Sequence, residues 1–372
     1  MQKQLLTTAF LLTSALVYAD YATESSPMDT MDSSYRCSDV YLSSPAYCFE
    51  VDFQALWMQP TASNLDYAAQ ANPFDFSVPV PPISPNWVIH EISPDYHFGF
   101  DVGVAGICHG TSSTLALNWE RLHTSNDHNS TNPPSTSMVG PFFEIGPDSS
   151  FYKKAKGSVH FHFDEVSLDF GTFVKFGSRL RTNLFAGLGF TRIVQQKQAL
   201  FSNIAGDIFR TIKIPSKFIG AGPQLGIDFT YRIAKGFQFV GDSRATLFVG
   251  RLKNSTTFSS TSPTLTTLGG PNPNIQTTRV DNRTGLVPGF EGRLGFAYDF
   301  EFNCRYMFKI EAGYQAQIYL NSIRSIDMGS EVTLSAVATG VAGDSGVYAR
   351  TFERTISDFS LAGPYLSVSL GF

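Results

Sequence analysis

The chain is poor in charge, in cysteine and in long apolar runs. Asp, Glu, Lys and Arg supply only 16% of its 372 residues, against roughly 25% in an average soluble protein. Its 27 basic residues do not outnumber its 32 acidic ones, and the formal net charge is -5. A basic face of the kind that grips phosphate backbones is therefore missing, and no nucleic acid is expected as a partner. The mean hydropathy is -0.05, too low for a chain that crosses a bilayer by repeated apolar helices of about 20 residues. The four cysteines, Cys37, Cys48, Cys108 and Cys304, do not have the spacing of a zinc site.

What is present points the other way. Hydrophobic residues make up 42%, aromatics 14%, and Phe alone counts 33. That content excludes wholesale disorder. An apolar, aromatic, weakly charged chain without long apolar runs is either an all-β secreted protein or a transmembrane β-barrel. The N-terminus sets the compartment. Lys3 precedes an apolar stretch from Leu5 to Val17, and Val17-Tyr18-Ala19 closes it with small residues at the first and third places. This is the pattern of a secretory signal, residues 1–19, cleaved after Ala19. Residues 20–46 then form a short periplasmic N-terminal segment and residues 47–372 the barrel. The first cysteine, Cys37, lies too far from the cleavage site for lipidation.

Period-2 alternation, the mark of a strand with two unlike faces, occurs ten times in segments of roughly 10–18 residues. Phe49, Val51, Phe53 and Trp57 alternate with Glu50, Asp52 and Gln54; Tyr306, Phe308, Ile310, Tyr314 and Ile318 alternate with Lys309, Glu311, Gln315 and Gln317. The connections run long and short by turns. The long ones cover 60–94, 125–157, 198–216, 254–283 and 321–355; the short ones lie at Ile107–Thr111, Gly177–Leu180, Ile233–Gly236 and Asp299–Cys304. Brief turns on one side and large loops on the other are the asymmetry of an outer-membrane barrel. The expected fold is thus an all-β, antiparallel up-and-down transmembrane barrel of ten strands, within a range of 10–14. Outer-membrane lipid is its first partner, because only a closed sheet satisfies every backbone group in hydrocarbon.

The last ten residues, Gly363 to Phe372, place Leu366, Val368, Leu370 and Phe372 at alternate positions, with Tyr365 before them. The alternation shows an amphipathic strand. A terminal Phe after such a strand resembles the insertion signal read by the barrel insertion machinery, and that resemblance assigns the role to Tyr365, Leu366, Val368, Leu370 and Phe372. Further segments resemble a family. Val51-Asp-Phe-Gln-Ala-Leu-Trp57 followed by Asn64-Leu-Asp-Tyr-Ala68, then Phe163-Asp-Glu-Val-Ser-Leu-Asp-Phe-Gly171, Phe185-Ala-Gly-Leu-Gly-Phe190 and Phe218-Ile-Gly-Ala-Gly-Pro-Gln-Leu-Gly226 are similar to the major-outer-membrane-protein-like porins of Legionella and of environmental Chlamydia relatives. The motifs are mainly strand texture. The resemblance implies a pore-forming protein of a Gram-negative outer membrane and carries no fixed site residue with it.

In the strand register, Glu50, Asp52, Asp101, Asp169, Asp228, Asp242, Arg244, Glu291, Arg293, Arg305, Lys309 and Glu311 point inward. In a pore such charges set ion preference; in a small filled barrel they pair with one another, and ten strands enclose little more than their own side chains. Glu291 and Arg293 face Lys309 and Glu311 as cross-strand pairs. All four cysteines fall on the periplasmic side, an oxidising compartment; Cys37–Cys48 is the local pairing, three full pairings are open, and disulfide-linked envelope proteins or a homo-oligomer are the protein partners to consider. Gly343-Asp-Ser345-Gly346 looks like a serine-protease nucleophile segment but has no accompanying general base. His160 and His162 share a face without a third ligand. No enzyme activity, catalytic residue, metal or cofactor is expected. The expected function is porin-like passive diffusion of small hydrophilic solutes with an envelope-structural role. A non-conducting structural, adhesin or antigen barrel and a secreted β-sandwich are the alternatives.

Overall fold

The computed structural model describes residues 47–72, 86–108, 113–125, 127–134, 137–140, 152–177, 179–202, 209–261, 274–302, 306–333 and 346–372, all of them in the compact unit Val40–Phe372. They form strands β1 (Tyr47–Ala62), β2 (Asp66–Asn72), β3 (Asn86–Glu91), β4 (His97–Cys108), β5 (Ser113–His123), β6 (Asp127–Thr131), β7 (Met138–Gly140), β8 (Lys154–Phe176), β9 (Leu180–Ser202), β10 (Phe209–Arg232), β11 (Phe237–Thr261), β12 (Asn274–Phe302), β13 (Tyr306–Thr333) and β14 (Gly346–Gly371). The proposed signal segment 1–19 and the segment 20–46 lie outside the described residues. Ten strands, β1, β4, β5 and β8 to β14, close into one antiparallel ring. They coincide with the ten alternating segments of the sequence. The ring shuts where the first strand meets the last: Phe49 and Phe372 exchange backbone hydrogen bonds of 2.8 and 2.9 Å. A short turn joins β10 to β11, where Gly236 adopts a φ of +77°, a conformation open to glycine at little cost.

The strands are longer than the alternation of apolar residues suggests. From β8 to β14 they run 23 to 29 residues, whereas about 9–11 cross a bilayer. Most of 198–216, 254–283 and 321–355, and part of 125–157, is therefore strand, not loop, and the barrel wall continues past the membrane on the long-loop side, which faces the cell exterior. The outward apolar pattern ends before the strands do because its sign inverts. On β8, Val166, Leu168 and Phe170 are exposed outward, towards lipid. A few residues earlier the same outward positions hold His160, His162 and Asp164, while Phe161 and Phe163 point inward and are fully buried. The same switch occurs on β1, with exposed Phe53 and Trp57 outward and buried Leu56 and Met58 inward, and on β11, with exposed Leu247 and Val249 outward and buried Phe248 and Leu252 inward. Where lipid is the solvent, apolar side chains face out; where water is, they face in, as in a soluble barrel.

The wall is uneven. β1, β4 and β5 have 16, 12 and 11 residues, and the low side is covered by a second sheet, β3–β2–β7, built from stretches expected to be loop. The turn after β1 dips into the barrel mouth. Asn64 and Gln195, on the inner face of β9, exchange amide hydrogen bonds of 3.0 and 2.9 Å, and the Lys197 ammonium donates to the Asn64 carbonyl at 2.6 Å. Leu65, Tyr67 and Ile92 join the apolar cluster beneath. Tyr67 lies so close to β8 that a Cβ on Gly157 would meet its ring at 2.5 Å. Gly157→Ala is therefore expected to cost about 1–3 kcal/mol through overpacking and to loosen β2 before the ring itself. Hydrogen exchange read strand by strand checks it: unchanged protection of 66–72 would rule the contact out as a constraint.

Candidate functional site

The lower half of the barrel interior is a polar chamber of about 260 Å³ to which every strand of the ring contributes. Eleven of the twelve charges expected inside line it: Glu50 and Asp52 from β1, Asp101 from β4, Asp169 from β8, Asp228 from β10, Asp242 and Arg244 from β11, Glu291 and Arg293 from β12, Lys309 and Glu311 from β13. The twelfth, Arg305, lies outside the described residues. Glu120 and Glu165 bring the lining carboxylates to ten, against the four cations Arg181, Arg244, Arg293 and Lys309, so the chamber is acidic. Strand alternation puts these groups there, since each sits two or four residues from the next inward position on its own strand.

The cations are placed between carboxylates. Arg244 lies 3.6 Å from Glu291 and 3.8 Å from Asp169. Lys309 is 2.7 Å from Glu311, and Arg293 is 4.0 Å from the same carboxylate. The ladder sets Glu291 opposite Gln317 and Arg293 opposite Gln315, so of the cross-strand pairs expected between β12 and β13 only Arg293 with Glu311 forms; Glu311 also takes Lys309 of its own strand, and Glu291 turns to Arg244 of β11. Neutral donors complete the network: Tyr365 donates to Glu311 at 2.7 Å, Asn183 to Asp228 at 3.0 Å, and Gln224 to Asp169.

Above the chamber the opposite walls touch. Arg293 donates to the Gln54 side-chain carbonyl at 2.8 Å, and Gln54 donates to Gln315 at 2.8 Å. Gln315 donates to Glu291 at 3.0 Å and Gln317 to Glu120 at 2.7 Å. Tyr319 on β13 donates to Glu165 on β8 at 2.8 Å, and those strands stand diametrically opposite in the ring. Directly above this belt lies an aromatic layer. The rings of Phe163 and Tyr319 are 5.4 Å apart, Phe161 and Phe359 5.4 Å, Tyr319 and Phe359 6.1 Å, and Phe248 and Tyr319 6.1 Å. Leu56, Met58, Val287, Ile323 and Leu361 fill the space around them. A fully buried side chain of this size contributes roughly 1.5–3 kcal/mol by leaving water. Glu120, Glu165, Gln54, Gln315, Gln317 and Tyr319 were not singled out by sequence reasoning, which weighed charge alone; Glu165 carries a usable signal, since it shares its parity with Asp169 on β8.

Leu366, Leu370 and Phe372 are exposed on the outer face, Val368 lies on that face half-buried, and Tyr365 points inward and is buried. Tyr365 therefore belongs to the chamber network and not to the lipid-facing row. Cys37 and Cys304 lie outside the described residues; Cys48 and Cys108 stand at the ends of β1 and β4, one position out of register, and their side chains are outside the described set. Gly343 to Ser345 are outside it as well. His160 and His162 gain a third ring, His123 of β5, with its Nδ1 3.1 Å from that of His162. Among the described residues no group of three or more His, Cys, Asp or Glu is arranged to hold a metal ion.

No curated protein matches the chain. Among solved structures, the outer membrane protease OmpT of Escherichia coli is similar at 10% identity and a TM-score of 0.39, over 89% of this chain and 98% of that one. The Pseudomonas putida toluene transporter TodX is similar at 9% identity and a TM-score of 0.34, over 91% and 92%. A Pseudomonas aeruginosa FadL homologue follows at 7% identity and a TM-score of 0.23, over 88% and 90%. The family model described as the Legionella pneumophila major outer membrane protein precursor matches residues 43–372. With the closed ring of lipid-facing strands already established, that match makes this chain an integral outer-membrane β-barrel of the Legionella major outer membrane protein family.

Proposed function

We propose that the chain is an envelope-structural barrel whose lumen is shut at rest, which holds up a tall extracellular wall and carries no turnover chemistry. The observation that supports this reading is the contact between opposite walls: Tyr319 bonded to Glu165 at 2.8 Å, roofed by Phe163 at 5.4 Å between ring centres. A hydrophobic constriction of packed rings resists wetting, and ions do not pass where water does not. The wall above the bilayer, with its polar outer face, then serves as an adhesive or antigenic surface.

Porin-like diffusion of small hydrophilic solutes is the second reading. It draws on the acidic chamber, which is lined from all ten strands and holds ten carboxylates from eight of them, and which would favour cations if the roof gave way. Planar-bilayer recording of the refolded protein separates the two, with heat-modifiable gel migration as proof of folding. The expected result is a baseline without unitary steps. Regular steps of defined size, with a cation-selective reversal potential, would establish the porin reading and sink the closed one.

A further inference from the structure

Between β12 and β13 the barrel wall parts. Their ladder runs from the turn only as far as Gly289 opposite Tyr319. Just beyond, β13 has an irregularity between Tyr319 and Ile323, with Asn321 at a φ of +58°, a conformation that asparagine tolerates better than most residues. Past it, β13 keeps its pairing with β14 and leans on the far neighbours instead: the Arg324 N–H donates to the Ser216 hydroxyl at 3.1 Å, and the Thr256 hydroxyl donates to the Ile326 carbonyl at 2.6 Å. β12 meanwhile stays with β11 and has a register shift of its own opposite Leu252 and Asn254. The gap is a cleft of about 490 Å³.

Its lining is unusual in sign. Arg279 and Arg283 come from β12, Arg324 from β13 and Arg354 from β14, with Asp281 the single carboxylate among the lining residues. Among the described residues none of the four takes part in an ion pair, and the Nε of Arg324 is buried without an acceptor. Burial first, and then the charges of Arg283 and Arg354, press the Arg324 guanidinium below its ordinary pKa. Four guanidinium groups so placed repel one another unless an anion stands between them. The cleft also sits at a definite height. Leu286, three residues from Arg283, and Ile356, two from Arg354, are exposed apolar side chains, so the arginines stand where the apolar outer face gives way to water.

We propose that this cleft is a binding site for terminal phosphate groups, carried either by the headgroup of an outer-leaflet glycolipid or by a free oligophosphate. A terminal phosphate group brings close to two negative charges and three acceptor oxygens, and planar guanidinium forks match such oxygens in pairs. Carboxylates would need several separate groups to balance the same four cations. The site is independent of whether the lumen conducts, and its test reads binding, not current.

The full refolded chain in detergent is titrated calorimetrically with tripolyphosphate at fixed low ionic strength. Saturable binding is expected, weakened at least tenfold by Arg283→Gln with Arg324→Gln. Arg354→Gln, on an exposed residue of the ring's last strand, should weaken it several-fold where the double variant fails to fold. Arg251→Gln, an exposed cation outside the cleft lining, should leave it within about twofold. A second titration uses phosphatidylcholine bicelles doped with bisphosphorylated lipid A. Loss of lipid A binding in the same variants assigns the site to lipid-borne phosphate; loss for tripolyphosphate alone assigns it to the free ion. No saturable binding by the parent chain, or equal binding by the Arg283 and Arg324 double variant and the parent, overturns the proposal.

Discussion

Replacing Phe163 and Tyr319 together by alanine is expected to turn a silent barrel into one with clear unitary steps in a planar bilayer. These two rings come from strands on opposite sides of the ring and meet at 5.4 Å. Tyr319 also holds Glu165, touches Phe248 and Phe359, and so stands at the centre of the layer. Truncating both removes the aromatic bridge between β8 and β13 and leaves the acidic chamber continuous with the mouth. Each truncation costs about 3–5 kcal/mol of packing, so the variant needs a fold check by heat-modifiable migration. Tyr319→Phe is the control: it gives up one hydroxyl, leaves Glu165 short of a donor at a cost of about 1–3 kcal/mol, and should stay silent because the ring remains. A folded double alanine variant with no more current than the parent would show that the closure lies elsewhere, in the β1–β2 turn pinned by Gln195 and Lys197.

The second large effect concerns the chamber's charge balance. Arg244 lies between Asp169 and Glu291, its guanidinium stands 5.5 Å from the Phe185 ring, and its side chain is 15% exposed. Arg244→Met keeps much of the apolar stem and deletes the cation, so ten lining carboxylates face three cations instead of four. Removing one member of a fully buried pair costs about 3–5 kcal/mol. The chamber admits water, so a loss of about 2–4 kcal/mol is the expected figure, read as a lower urea midpoint for unfolding from micelles. Arg244→Lys should recover part of it, since it restores charge without the fork that spans two carboxylates. A midpoint shared by parent and methionine variant would mean that the carboxylates are neutralised by other means.

These two effects also mark how far the sequence can be read. The ten membrane-crossing segments and the inward face that carries the charges follow from strict alternation, because lipid on one side and water on the other impose opposite chemistry on neighbouring residues. The roof of the chamber was hidden by the same rule. Phe161 and Phe163 look like a break in the pattern beside His160 and His162, when they are the pattern with its sign reversed above the bilayer. Glu165 and Tyr319 belong to segments 154 residues apart, and alternation within one strand says nothing about which residue stands across the barrel.

By itself, then, the order of residues determined the compartment, the barrel, its ten staves and which charges look inward within the bilayer. Those are local properties, each decided by the solvent that a strand's two faces meet. Only the tertiary structure decided which side chains meet across the inside of the ring, such as Tyr319 and Glu165, and where the wall parts to gather Arg279, Arg283, Arg324 and Arg354. Both depend on distances between strands far apart in the chain, which closure of the ring sets and no single strand encodes.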